Sequence, residues 1–180
     1  MSSPVRLLPL LCLKCQSPIP ANKGEIAWVC GVCGQGQLLS MEKGLLPQEI
    51  CFSDALQPGM VGKPFWVARG EVTVERELYS GNETKASAKF WAQPRWFFIP
   101  AYEIDLEGLI SLGGSLLRNP PQLAPCAQAT NKFLPVVMNP NDMIPLAEFI
   151  IMSIEAERKD FVREVRFHLE LTKPELWVLP

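Results

Sequence analysis

Two Cys-x-x-Cys pairs, Cys12/Cys15 and Cys30/Cys33, stand in "LCLKCQSPIP" and "WVCGVCGQG". A turn of this spacing presents two sulfurs to one point, and two such turns supply the four thiolates of a tetrahedral metal site. The second turn has Gly31 and Gly34 where the backbone must fold tightly around the sulfurs. The first, "CLKCQS", has no glycine and fits that pattern less well. A redox dithiol would set one pair at a helix start in a βαβ unit, and two pairs at this spacing argue against it. In a reducing compartment paired cysteines read as metal ligands before disulfides. No signal peptide is evident, so a cytoplasmic location is the expectation.

Between the pairs, "SPIPANKGEIAWV" is a turn-rich stretch followed by a short strand that runs into Cys30. Residues 12–40 thus resemble the zinc-ribbon family, in which two knuckles on β-hairpins clasp one zinc. The resemblance implies Cys12, Cys15, Cys30 and Cys33 as the ligands. An Fe(Cys)4 centre of rubredoxin type uses the same geometry and stays open beside zinc. Zinc is favoured because a compact ribbon needs a structural staple and nothing points to electron transfer. Four thiolates leave no position for water, which makes the site structural rather than catalytic.

Many zinc ribbons belong to transcription or replication machinery, so nucleic acid is a reading to weigh. Residues 1–40 carry Arg6, Lys14 and Lys23 against Glu25, and the whole chain has a net charge of −2. A tetrathiolate zinc centre is itself anionic. Tight binding to a phosphate backbone uses several Lys or Arg contacts, so no strong nucleic-acid binding is expected. Trp28, next to the second pair, is expected to pack on its own hairpin.

Other reactive side chains are scattered. Cys51 reads as a small apolar residue in a strand, and Cys126 as a loop thiol without a basic partner. His168 falls on the polar side of a strand. Glu148, Glu155 and Glu157 read as the solvated face of a helix. No Ser-His-Asp set, phosphate loop or His-Glu-x-x-His motif is present. An enzyme with a pocket in the larger domain is therefore the third reading, after an adaptor and a nucleic-acid factor.

The elements that must position these groups divide into a module at 1–40, a connector at 41–62 with one short strand, and a domain at 63–180. The chain of 180 residues, 48% hydrophobic, has enough apolar content for a sizeable core, and its 17 prolines predict short, broken elements. "PFWVARGEVTVERELY" and "KFWAQPRWFFIPAYEI" alternate as strands around turn chemistry at 80–87. "DLEGLISLGGSLLRN" and "NDMIPLAEFIIMSIEAERKD" have helical spacing, with Asp105 and Asn141 or Asp142 as N-caps. "FLPVVMN", "EVRFHLELT" and "ELWVLP" add strands. The predicted fold is α+β: a zinc ribbon followed by a mainly antiparallel sheet with two helices.

The apolar run at 143–154 contains Glu148 and is too short to span a bilayer, so no transmembrane segment is expected. Its helix carries a stripe, Met143, Ala147, Ile150, Ile151 and Ile154, and a second one, Leu146, Phe149, Met152 and Ala156. This arc is wider than one sheet contact requires. The aromatic segments pose the same question, since alternation sends their side chains to both faces of a sheet. Phe149, Met152, Trp91 and Trp96 are accordingly the candidates for a surface that meets a protein partner or a second copy.

Overall fold

The computed structural model describes residues 9–125 and 132–180. Cys126 lies outside the described residues. Among these residues the fold is mixed α/β, with two sheets and three α-helices. β1 (Ala27–Val29), β2 (Gly36–Ser40) and β3 (Gly44–Pro47) form an antiparallel sheet in sequence order. The segment 41–62 therefore holds β3 as well as the expected short strand β4 (Ile50–Phe52).

The second sheet is built on β5 (Lys63–Ser80), flanked by β6 (Arg95–Pro100), β7 (Phe161–Leu171) and β8 (Glu175–Leu179), with β4 at the far side of β8. Every pairing is antiparallel except β4 with β8. β5 meets β8 from Lys63 to Val67 and β7 from Gly70 to Ser80. Between them Thr172 closes the join: Arg69 N–H donates to its Oγ1 at 3.0 Å, and its own N–H donates to Arg69 C=O at 2.9 Å. Pro174, which has no N–H, falls in this break.

Alternation along these strands answers where the aromatic side chains go. Trp66, Ala68, Phe97, Ile99 and Leu176 share one face. Phe65, Val67, Phe98, Trp177 and Leu179 share the other. Helix α3 (Met143–Ala156) covers the first face with its Met143, Ala147, Ile150, Ile151 and Ile154 stripe. Helix α2 (Leu106–Arg118) serves both, giving Leu109 and Leu117 to one and Leu112 and Leu116 to the other. Each fully buried Leu, Ile or Phe contributes about 1.5–3 kcal/mol by leaving water. Where β5 pairs with β6 and β8, the sheet is thus covered on both faces within the chain. As expected, Asp105 caps α2, accepting from Gly108 N–H at 2.7 Å.

Three details differ from the sequence reading. A third helix, α1 (Thr84–Trp91), replaces part of the expected turn and the first residues of the second aromatic strand. "TKASAKFW" is rich in helix formers, Pro94 ends the element, and Arg95 donates twice to Phe90 C=O at 2.7 and 3.1 Å, closing the helix end. Second, neither Asn141 nor Asp142 caps α3 through its side chain. A 3-10 turn at Pro140–Asp142 leads into the helix, and Asn139 caps that turn through Asn141 N–H. Third, "FLPVVMN" is no regular strand. Pro135 interrupts it, and the segment makes single bridges, Phe133 with Gly62 and Val136 with Ala27. Through Val136, whose C=O accepts from Ile26 N–H at 2.8 Å, it stitches the N-terminal sheet to the larger one.

Candidate metal centre

Each cysteine pair is held by the same two backbone hydrogen bonds. In the first turn Cys12 N–H donates to Ser17 C=O and Gln16 N–H to Cys12 C=O, both at 2.9 Å. In the second, Cys30 N–H donates to Gln35 C=O and Gly34 N–H to Cys30 C=O, again at 2.9 Å. The residue after each pair has a left-handed backbone, φ 74° at Gly34 and φ 60° at Gln16. Antiparallel partners close both turns at matching positions, Val29 with Gly36 and Leu11 with Pro18. The missing glycine in "CLKCQS" therefore changes the residue and not the turn. Gln16 takes the strained dihedral, and its side-chain Nε2 donates to Cys12 C=O at 3.2 Å.

The two turns bring their sulfurs together. All four Sγ atoms lie within 4.8 Å of one another. The short separations run between turns, Cys12 to Cys33 at 3.5 Å and Cys15 to Cys30 at 3.6 Å. A tetrahedron with metal–sulfur bonds of about 2.3 Å has edges of about 3.8 Å, so the set fits one ion of that size. Cys12 and Cys30 are buried, with Ile19 and Trp28 packed beside them. Trp28 lies on its own hairpin, as expected. Its indole N–H donates to Glu25 at 3.0 Å, and Asn22 donates to the same carboxylate from backbone and side chain. Burial pushes the Glu25 carboxyl up, but these donors outweigh it and hold the group below its usual range. Gln37, fully buried in β2, accepts from Leu13 N–H at 2.8 Å and fastens the first turn to the sheet.

Neighbouring groups shift Cys12, Cys15 and Cys33 in different directions. The Ser17 hydroxyl and N–H hold Cys15 down to about 6. The N–H groups of Cys15 and Lys14 lower Cys12 against the effect of burial. The Gln35 N–H favours the Cys33 thiolate, yet burial and the three neighbouring sulfurs push Cys33 up to about 12. The protein's own donors thus favour the first thiolates, while crowding opposes the last. A divalent cation held by the four sulfurs would supply the opposing charge.

The four candidate surface residues separate. Phe149 and Met152 stay 42% and 44% exposed on α3, and Trp96 is 39% exposed on β6. Leu146 packs against the core, so the second stripe of α3 is covered only in part. Trp91 is only 5% exposed and leaves the set: it lies on α1 rather than a strand, and its indole N–H donates to Glu155 at 2.8 Å. His168 is exposed on the polar side of β7, and Cys51 is half-buried in β4. A hollow of about 530 Å³ lies between α2 and α3, where Arg118 pairs with Glu157.

Glu155 is the largest correction. The sequence reading put it on a solvated face, whereas the carboxylate is buried in an ion cluster. Arg76 Nε lies 3.3 Å from Glu155 and Arg76 Nη1 lies 3.1 Å from Asp160. Arg158 contacts Glu155 at 2.9 Å, and Ser87 Oγ donates to it at 2.9 Å. The cluster joins α1, α3 and β5. Its signal was periodicity: Arg76 follows Val72 and Val74 on the inward side of β5, and Glu155 follows Ala147 and Ile151 at four-residue spacing.

No protein-family model, curated protein or solved structure matches the chain. No helix among the described residues is long and apolar enough to cross a membrane.

Proposed function

We propose that this chain is a non-enzymatic zinc-binding protein that works as an interaction adaptor or assembly subunit. On this reading residues 1–40 are a zinc ribbon, 41–62 a connector and 63–180 the body that meets a partner. The observation that carries it is the closed set of four sulfurs within 4.8 Å. Four protein ligands complete the coordination of zinc, so the metal holds structure and activates no water. The cytoplasm, which keeps thiols reduced, suits such a site.

The partner surface is the outer side of α3 around Phe149 and Met152, with Trp96 on β6 as a further exposed aromatic. Elemental analysis of purified protein should find one zinc per chain. Iron would make the centre a rubredoxin-type site, and less than half an equivalent of any metal would remove the ribbon reading. Phe149→Glu tests the surface. Because Phe149 is exposed, stability should change by no more than about 0.5 kcal/mol, while capture of the native partner is lost. A variant that captures it as well as the parent would take α3 out of the interface.

A further inference from the structure

Strand β7 has 11 residues and, among the described residues, pairs with β5 alone. Among the described residues nothing pairs with its other edge, a row of N–H and C=O groups. Proteins usually blunt such an edge with proline, a bulge, a short strand or charged side chains, and the charges of β7, Arg163, Glu164, Arg166 and Glu170, are of both signs and so can pair across an axis. β7 has no proline, and its register is regular from Glu164 to Leu171, with the irregularity confined to the end opposite Glu77 and Leu78. Phe167, Leu169 and Leu171 pack against the core yet are only half-buried. The opposite face is polar, with Arg166 across from Glu75, His168 from Thr73 and Glu170 from Glu71. Glu170 therefore faces a like charge across the strand pair, which is unfavourable, and its contact along β7 is the His168 ring at 3.1 Å.

We propose that β7 pairs antiparallel with β7 of a second copy, about a two-fold axis at His168, so that two sheets become one. Antiparallel strands related by a two-fold axis place one residue opposite itself, and each choice of that residue fixes every other pair. With His168 on the axis, Arg166 of each copy faces Glu170 of the other, which gives the Glu71–Glu170 pair a cation. On the apolar face Phe167 meets Leu169 and Val165 meets Leu171. This register uses the regular ladder from Val165 to Leu171. Centring on Phe167 instead sets Glu164 against Glu170. Centring on Arg166 sets two arginines face to face, and centring on Val165 runs into the irregular end. Centring on Leu169 keeps the charges compatible but shortens the ladder. Charge and apolar pairing agree best at His168.

The test is the mass of the metal-loaded full chain by sedimentation over a concentration series into the high-micromolar range. The parent should dimerise. Arg166→Glu, which sets two acidic pairs across the axis, should weaken association by more than about a hundredfold. The swap Arg166→Glu with Glu170→Arg should restore it. A His168→Cys variant should crosslink between chains above the background of the parent's own cysteines, since directly opposed residues are near neighbours. If the single charge reversal misfolds, the swap and the crosslink decide. A parent that stays monomeric overturns the proposal. So does a dimer that survives Arg166→Glu without the crosslink, because it must form elsewhere. Phe149→Glu should leave this dimer intact, which separates the edge from the α3 surface.

Discussion

Cys12, Cys15, Cys30 and Cys33 are gathered from two short turns that neighbour each other in the chain. Arg76, Glu155, Arg158 and Asp160 are gathered from the middle of β5 and the region at the end of α3. Both groups bring four ionisable side chains together, and they balance charge in opposite ways. The sulfurs, once ionised, carry a single sign and close only around a cation. The second group has two cations and two anions and balances its own charge, with Ser87 and Trp91 also donating to the Glu155 carboxylate. One region of the protein therefore depends on what the solution supplies, and the other does not.

The sharpest way to break this comparison is to remove one ligand from each side. Cys30→Ser, or a strong chelator, should release the metal and melt β1–β3, because metal binding and folding of such a module are one equilibrium worth about 10–16 kcal/mol. Hydrogen exchange should then show residues 9–47 unprotected, with β5, β6 and α3 still protected. Loss of protection throughout would mean that the two regions share one fate.

Glu155→Ala should leave metal content unchanged and destabilise the larger region by about 3–5 kcal/mol, since it strands a buried Arg76 and orphans the Trp91 indole N–H. Chemical denaturation measures this, and a change below about 1 kcal/mol would show that the cluster relaxes around the loss.

The smallest effects lie inside the metal module. Gly34→Ala places a Cβ on a left-handed residue and should cost about 1 kcal/mol. Gln16→Gly relieves the matching strain but gives up the Nε2 bond to Cys12 C=O, for a net gain of at most about 1 kcal/mol. Competition with a chelator reads both. If the turns are equivalent, affinity falls in the first variant and holds or rises in the second. A loss in both would mean that the Gln16 side chain matters more than its backbone.

What was legible in the sequence follows from how local each feature is. The cysteine set is two turns of four residues, so spacing alone exposed it. The αL residue at Gln16 was invisible, because the side chain gives no sign of positive φ where glycine is the usual signal. β5 and β7 alternate cleanly, and the strands are where alternation put them. α1 was hidden because Phe90 and Trp91 look like the start of a strand, whereas Trp91 and Ser87, four residues apart, both turn inward to Glu155. Glu155 itself was misread for a related reason. A charged residue near a helix end is usually solvated, Arg158 three residues on looks like an ordinary helix-surface pair, and the buried partner, Arg76, is remote in sequence. The bridges of Phe133 and Val136 were out of reach too, since they depend on two sheets being present at once.

The pairing of β4 with β8 has a consequence for the order in which the protein is made. Phe52 is aligned with Val178, and Phe65 with Trp177 on the edge of β5 that faces away from β6, so β4 finds its strand partner, and the first half of β5 its second neighbour, only when the last strand has been synthesised. During translation β1–β3 and their four cysteines emerge well before β8, and until it arrives β4 and one edge of the first half of β5 stay open. Contacts this distant in sequence slow the folding search. The interval before β8 arrives is when the chain is most open to premature self-pairing.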